Sequence, residues 1–405
     1  MFRDYKEDGP TLLSDKTHRL NATFRFTNTN VTMANTLRRA ILTLTPSVGF
    51  RTEPYDKSDI LITTNTTPLV NEMLSHRIGM IPVNIPDVTN FKPEQFEFLL
   101  EIKNDTKNML DVSASDFKVF QKNLENQLLP PTQVPTEQFF PPDPITGNTT
   151  LITRLRPQWN PTAPVEQLIL KAKASISNGT ENIRYSPVTQ ASYEYTRDNN
   201  VEHLNTVFTS WLSLSKKIED SSKISDEQAE AYKREFNTME VQRCYIKDER
   251  GNPYDFTFHV ESVGVQSVPI IVESALIALQ SLVAKYIDID TVLSENVKIL
   301  QADARYPAID VWFTNEGHTL GNLLETFIVD NHIDGNEKPT VNYIGYKVPH
   351  PLRPEMFLRI GVGSETPDDV EEQKNIVRMV IATACRNLKE QFKALAVEWK
   401  SIFTQ

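Results

Sequence analysis

The sequence predicts an α+β protein made of two related modules that pair through helices, the first interrupted by a mostly β inserted domain. A short pattern occurs twice, an apolar helical stripe follows each copy, and irregular, proline-rich chain interrupts only the first half. The pattern is Phe26-Thr27-Asn28 followed by Thr32-Met33-Ala34-Asn35-Thr36-Leu37. It returns 287 positions later as Phe313-Thr314-Asn315 followed by Thr319-Leu320-Gly321-Asn322-Leu323-Leu324. Seven of the sixteen positions from Phe26 to Ile41 are identical to Phe313 through Ile328, where composition alone gives roughly one. Two copies are too few and too distant for a solenoid, so they point to two halves that pair with each other.

The local physics is the same in both copies. Phe24 and Phe26, and later Val311 and Phe313, alternate as strand residues do. A polar turn follows, and Thr32 and Thr319 stand where a helix N-cap is expected. Met33, Leu37, Ala40, Ile41 and Leu44 then form one apolar stripe, and Leu320, Leu323, Leu324, Phe327 and Ile328 form the other. Each stripe needs cover.

Further along, Ile60 to Ile62 and Phe96 to Ile102 read as short strands, and Leu69 to His76 as a short helix. Six prolines between Leu129 and Thr150 exclude regular helix or a central strand and predict a long extended loop. Strand character returns over Ile183–Tyr195, and Ser225 caps a helix over Asp226–Phe236. The alternation of Phe256 to Glu261 and an apolar helix over Val268–Tyr286 complete the first half. Asp288 to Val297 reads as a polar, solvated linker. The last element is the longest helix, Val370–Ile402, with Val377, Val380, Ile381, Ala384, Leu388, Phe392, Leu395 and Trp399 at helical spacing. The expected division is 15–53 with 190–287 for the first module, 54–189 for the insert, 288–297 for the linker and 298–405 for the second module. The pairing surface is expected to consist of Met33, Leu37, Ile41, Leu44, Leu320, Leu324, Phe327, Ile328, Val377, Ile381, Ala384, Leu388 and Phe392.

Composition narrows the function classes. The 405 residues are 39% hydrophobic and 23% charged, which is ordinary for a globular protein. A net charge of −11 argues against a surface built mainly to hold a phosphate backbone. Met1 to Pro10 is charged, so no secretory signal is expected, and the most apolar stretch, Pro269–Val283, is too short to span a membrane. Cys244 and Cys385 are the only cysteines, consistent with a reducing, intracellular setting.

Asn35-Thr36-Leu37-Arg38-Arg39-Ala40 and Asn71 to Pro82, with Tyr185-Ser186-Pro187-Val188 and Phe258 to Gly264, resemble the third-largest subunit of eukaryotic RNA polymerase II and its archaeal and bacterial alpha counterparts. Gly317 to Leu324 and Gly345 to Leu352 resemble the eleventh subunit of the same enzyme. The chain thus resembles both, fused, over about 15–290 and 298–405, as in polymerases of large nucleocytoplasmic DNA viruses. The resemblance implies two alpha-subunit-like dimerisation modules forming a non-catalytic platform. It implies as partners the largest and second-largest polymerase subunits and small polymerase subunits, with DNA reached only through the complex and no membrane. A viral origin would imply the virion and host cytoplasm, or the nucleus. Cellular members of this family often carry a cysteine zinc cluster in the insert, but no cysteine lies between Glu53 and Gln190.

No catalyst is legible. A polymerase needs clustered aspartates for magnesium, and Asp288-Ile289-Asp290 lacks that setting, so the magnesium is expected in a partner subunit and no metal or cofactor in this chain. The histidines show no zinc-hydrolase spacing, and Gly361-Val362-Gly363 lacks the phosphate-loop ending and reads as a turn. Arg38 and Arg39 point about 100° apart on their helix, so at least one faces outward. With His76, Arg77, Lys347 and His350, they are the candidate contacts to the large subunits. The second copy has Glu325 and Thr326 in place of the two arginines, giving two distinguishable docking faces. The alternative function is a self-contained nucleic-acid-binding regulator, which the acidic balance disfavours.

Overall fold

A computed structural model describes residues 1–12, 16–122, 130–160, 162, 164–218, 225–302, 308–335, 337–339, 341–362 and 369–403. Its strands are β1 (Phe2–Thr11), β2 (Arg19–Thr27), β3 (Pro46–Gly49), β4 (Ile60–Asn65), β5 (Phe96–Asn104), β6 (Leu110–Ser113), β7 (Lys118–Gln121), β8 (Thr132–Val134), β9 (Leu151–Leu155), β10 (Glu166–Ala172), β11 (Ser175–Asn178), β12 (Val188–Tyr195), β13 (Asp255–Ser262), β14 (Val297–Gln301), β15 (Ile309–Thr314), β16 (Val341–Lys347) and β17 (Glu355–Val362). The helices are α1 (Val31–Thr43), α2 (Asn71–Gly79), α3 (Val201–Lys216), α4 (Asp226–Met239), α5 (Val268–Ala284), α6 (His318–Ile328) and α7 (Val370–Ser401).

The duplication read in the sequence is a duplication of topology. The first module has an antiparallel sheet ordered β1-β2-β13-β12, and the second has β14-β15-β17-β16. In each, the strand carrying Phe-Thr-Asn leads into the repeat helix, and a long helix, α5 or α7, closes the module. Asn28 and Asn315 both adopt left-handed backbone, with φ of 56° and 64°. Asparagine tolerates that conformation better than most residues, which is why the repeat keeps it where the strand must turn into the helix.

Sheet order also corrects the expected start of the first module. Residues 2–11, which the expected span of 15–53 leaves out, form β1 and pair with β2, in the place that β14 takes beside β15. Residue 15, the expected boundary, lies outside the described residues. The signal was masked because β1 has a register shift between Arg3 and Lys6 and left-handed backbone at Asp4. A bulge of this kind breaks the period of two, so Phe2 and Tyr5 fall three apart instead of alternating.

The N-caps differ as well. Asn30 caps α1 by accepting from the Met33 amide at 2.9 Å, while α6 begins after Gly317 with no side-chain cap. Thr32 and Thr319 lie inside their helices and are free for another use. Ser225 caps α4 as expected, accepting from Gln228 N. Gly361 and Val362 end β17 instead of forming a turn, and Gly363 lies outside the described residues.

The insert has its own core, from Val48 through Phe50, Phe98, Phe117 and Ile152 to Ala174. Its main sheet is ordered β4-β10-β5-β7-β8. The proline-rich stretch is not all loop: Thr132–Val134 adds an edge strand to β7, a position where missing amide donors are tolerated. Phe139 and Phe140 anchor it in the insert core. Strands β3 and β11 pair where the chain leaves and re-enters the first module, so the insert begins before the expected Pro54. Helices α3 and α4 lie between β12 and β13 in the chain and touch through Phe236, which packs on Phe208 and Trp211.

Candidate assembly interface

A single apolar cluster runs through both modules, from Phe2 and Leu37 to Leu324, Leu388 and Trp399. Helix α5 packs on α7, α1 on α5 and α6, and α6 on α7. Two modules that each expose an apolar helix stripe have thus covered each other, as permanently associated subunits do. Of the expected pairing residues, Leu37, Ile41, Leu320, Leu324, Phe327, Ile328, Val377, Ile381, Ala384, Leu388 and Phe392 are buried, and Met33 and Leu44 are partly buried against the same cluster. Burial also pushes the Cys385 thiol in α7 up to about 12, so this cysteine packs as a small hydrophobe.

Polar contacts across the seam use the repeat positions. Thr32 and Thr326 hydroxyls lie 2.9 Å apart, and Arg39 Nε donates to Thr319 Oγ1 at 2.8 Å. Trp399 Nε1 donates to the Pro269 carbonyl at 2.9 Å, joining the end of α7 to the start of α5. Lys400 and Glu273 pair beside it at 2.6 Å. Strand β1 contributes directly: the Phe2 ring meets Trp399 at 5.0 Å, beside Phe24 of β2 at 4.9 Å, and Tyr5 meets Phe403 at 4.8 Å. The Met1 ammonium and Glu398 form an ion pair there.

The six candidate partner-contact residues have different surroundings. Arg39 has its Nε on the other module, so it takes part in pairing. Arg38 is bound to Asn35 Oδ1 of its own helix, at 3.0 Å from Nε and 2.9 Å from Nη2, and lies partly exposed beside Tyr193 and Glu194. At the matching place in α6, burial raises the Glu325 carboxyl above its ordinary range. His76 is exposed on α2. Arg77 reaches the Ile152 and Leu151 carbonyls at 2.6 and 3.0 Å, tying α2 to β9. Lys347 and His350 are exposed at the end of β16 and in the loop after it, where His350 Nδ1 accepts from Leu352 N at 3.1 Å. The six thus sit on three elements: α1, α2, and the end of β16 with the loop after it.

The expected solvated linker is docked instead. Ile289 is 3% exposed, its carbonyl accepts from Arg378 Nε at 2.7 Å, and Asp290 pairs with Arg386 at 2.8 Å. A stretch with three acidic or polar neighbours gives no periodic signal for such docking, since its partners lie about ninety residues away on α7. Among the described residues, no three His, Cys, Asp or Glu side chains gather closely enough to hold a metal ion, and no helix is long and apolar enough to cross a membrane.

The family model described as the RNA polymerase Rpb3/Rpb11 dimerisation domain matches this chain over residues 23–283, and a second model of the same description matches residues 308–398. The chain is similar to the Schizosaccharomyces pombe DNA-directed RNA polymerase II subunit RPB3, 25% identical over 308 residues, covering 69% of this chain and 89% of that one. Its similarity to DNA-directed RNA polymerases I and III subunit RPAC2 of Drosophila melanogaster is 34% over 91 residues, 21% of this chain and 79% of the relative. To the Methanopyrus kandleri DNA-directed RNA polymerase subunit Rpo3 it is 37% identical over 71 residues, 18% of this chain and 23% of that relative's length.

Proposed function

Because this chain belongs to the family defined by the RNA polymerase Rpb3/Rpb11 dimerisation domain, we propose that it is the assembly platform of a multisubunit DNA-directed RNA polymerase, uniting in one polypeptide both modules of the pair. The observation that carries this reading is the pairing of two copies of one topology through α1, α5, α6 and α7 into a single core. The relatives named above are polymerase subunits, which supports assembly with other subunits of such an enzyme.

On this reading the chain brings no catalyst. Its two non-identical ends recruit the second-largest and largest subunits, which supply the magnesium site, and smaller subunits join the platform. DNA is reached only through the assembled enzyme. Arg38, His76, Arg77, Lys347 and His350 are the docking candidates, while Arg39 is shared with the internal pairing. The opposite charges at Arg38 and Glu325 make the two ends distinguishable, as docking two different subunits requires. The setting proposed is intracellular, in the virion and host cytoplasm if the chain is viral. Affinity purification of the tagged chain followed by mass spectrometry tests the reading. Two very large partners, one with a polymerase aspartate cluster, are expected; recovery of the chain alone or only with duplex DNA overturns it.

A further inference from the structure

We propose that the segment joining the modules is a docked strap that restricts pairing to the two halves of one chain. The seam itself does not impose that restriction through its polar contacts. Two first modules facing each other would set Arg39 against Thr32, the same chemistry as Arg39 on Thr319. Two second modules would set Thr319 against Thr326, the same chemistry as Thr32 on Thr326. Like modules, or modules of two different chains, could therefore make equivalent hydrogen bonds around equally apolar helices.

The strap contacts use different residues from those at the opposite end of the seam, where Trp399 meets Phe24 and the Pro269 carbonyl and Lys400 pairs with Glu273. Just after α5, the Tyr286 ring packs edge-on against Phe313 at 5.0 Å, and its hydroxyl donates to Glu316 at 3.0 Å. Lys285 binds the same carboxylate at 2.9 Å. Ile289 is buried, Arg378 holds its carbonyl at 2.7 Å, and Arg386 holds Asp290 at 2.8 Å. Chain from 285 to 290 is thereby fixed to the second module; the Thr291 and Val292 amides donate back to the Asp288 carbonyl and the Asn296 carbonyl accepts from Thr314 N, leaving Leu293 to Glu295 as the connection between the anchored ends before β14.

Length then decides the outcome. Docked, the three residues between the anchored ends reach at most about 11 Å, against about 42 Å for the twelve from 285 to 296 once released. A compact module of about 100 residues is roughly 34 Å across, from a radius of gyration near 13 Å. Undocked, the connection is long enough to pass around a module and let two chains exchange halves. Docked, it is too short. The strap also keeps the effective concentration of the correct partner high, because a shorter tether samples a smaller volume.

The test uses the full chain with Thr32→Cys and Thr326→Cys, whose hydroxyls are in contact, so that oxidation reports which halves face each other. Cis pairing gives an intrachain disulfide, and exchanged halves give a covalent dimer on a non-reducing gel. In the otherwise unaltered chain, refolding across a hundredfold range of concentration is expected to give intrachain product alone. A twelve-residue Gly/Ser insertion after Leu293 leaves every strap contact in place while restoring reach, and is expected to raise the interchain fraction at least tenfold at the highest concentration. The variant Ile289→Ser with Asp290→Ala is expected to do the same by undocking. Intrachain product alone from the insertion variant overturns the proposal, as does interchain product from the unaltered tether. Either result is independent of whether the chain assembles with polymerase subunits.

Discussion

Arg39 of α1 and Thr319 of α6 meet across the seam, Nε to Oγ1 at 2.8 Å, and the same two repeat positions meet again with roles exchanged as Thr326 and Thr32, 2.9 Å apart. That reciprocity is the signature of a two-fold interface, in which position i contacts j and j contacts i. Here it occurs inside one chain, so the modules pair as two subunits of a dimer would.

Removing one of these contacts is expected to cost stability modestly. Arg39→Ala should destabilise by about 1 kcal/mol, the usual net worth of such a hydrogen bond. A double-mutant cycle with Thr319→Val, read by urea unfolding, should show a coupling of similar size. A coupling of zero would mean that the bond is incidental to pairing.

The apolar seam should be far less forgiving. Leu324 and Leu388 are 0% and 1% exposed, so truncation to alanine should cost about 2–5 kcal/mol, and aspartate at either position should collapse the pairing. Val397→Asp, on the same helix as Leu388 but 65% exposed, should change stability by no more than about 0.5 kcal/mol. Soluble, fully assembling Leu388→Asp protein would contradict the shared core.

Gly321 is expected to reverse a general rule. Glycine to alanine inside a helix usually stabilises by about 1 kcal/mol, but a Cβ on Gly321 would lie 2.4 Å from Cδ2 of Tyr346. Gly321→Ala should therefore destabilise, by about 1–3 kcal/mol, and Tyr346→Ala should relieve the clash in the double variant. Thermal melting of the three variants checks the sign.

Acid sensitivity should be traceable to one ion pair where the insert joins the first module. Hydrogen bonding to Arg51 is the largest influence drawing the Glu181 carboxyl down to about 2. A carboxyl lowered on folding contributes stability that is present above its unfolded value of 4.5 and is lost as pH falls towards about 2. Arg51→Ala should flatten stability against pH in that window. The change should be small, about 1 kcal/mol or less, because the pair is partly exposed. NMR titration of Glu181 gives the direct check.

On the assembly reading, Arg38→Glu and Lys347→Glu should each reduce co-purification of a large partner while leaving the melting temperature of the isolated chain unchanged within about 2 °C. Equal recovery of every partner from both variants would remove these two residues from the docking faces.

Much of this architecture was legible because it is written in local periodicity. Leu37 and Ile41, Leu320 and Leu324, and Val377 through Trp399 repeat at helical spacing, and such a stripe must be buried wherever the chain places it. The duplicated Phe-Thr-Asn turn was legible for the same reason, since its asparagine answers a backbone need present at both sites. The sequence by itself therefore determined the helices, the twofold repeat and the need for a partner surface. What it left open depended on residues far apart in the chain. Only the folded chain decided that Phe2 belongs against Trp399, that Thr32 serves Thr326 instead of capping its own helix, and that Ile289 and Asp290 are held by Arg378 and Arg386. Each of these is a single contact across a large sequence separation with no period of its own, so its energy exists only once the two modules have met.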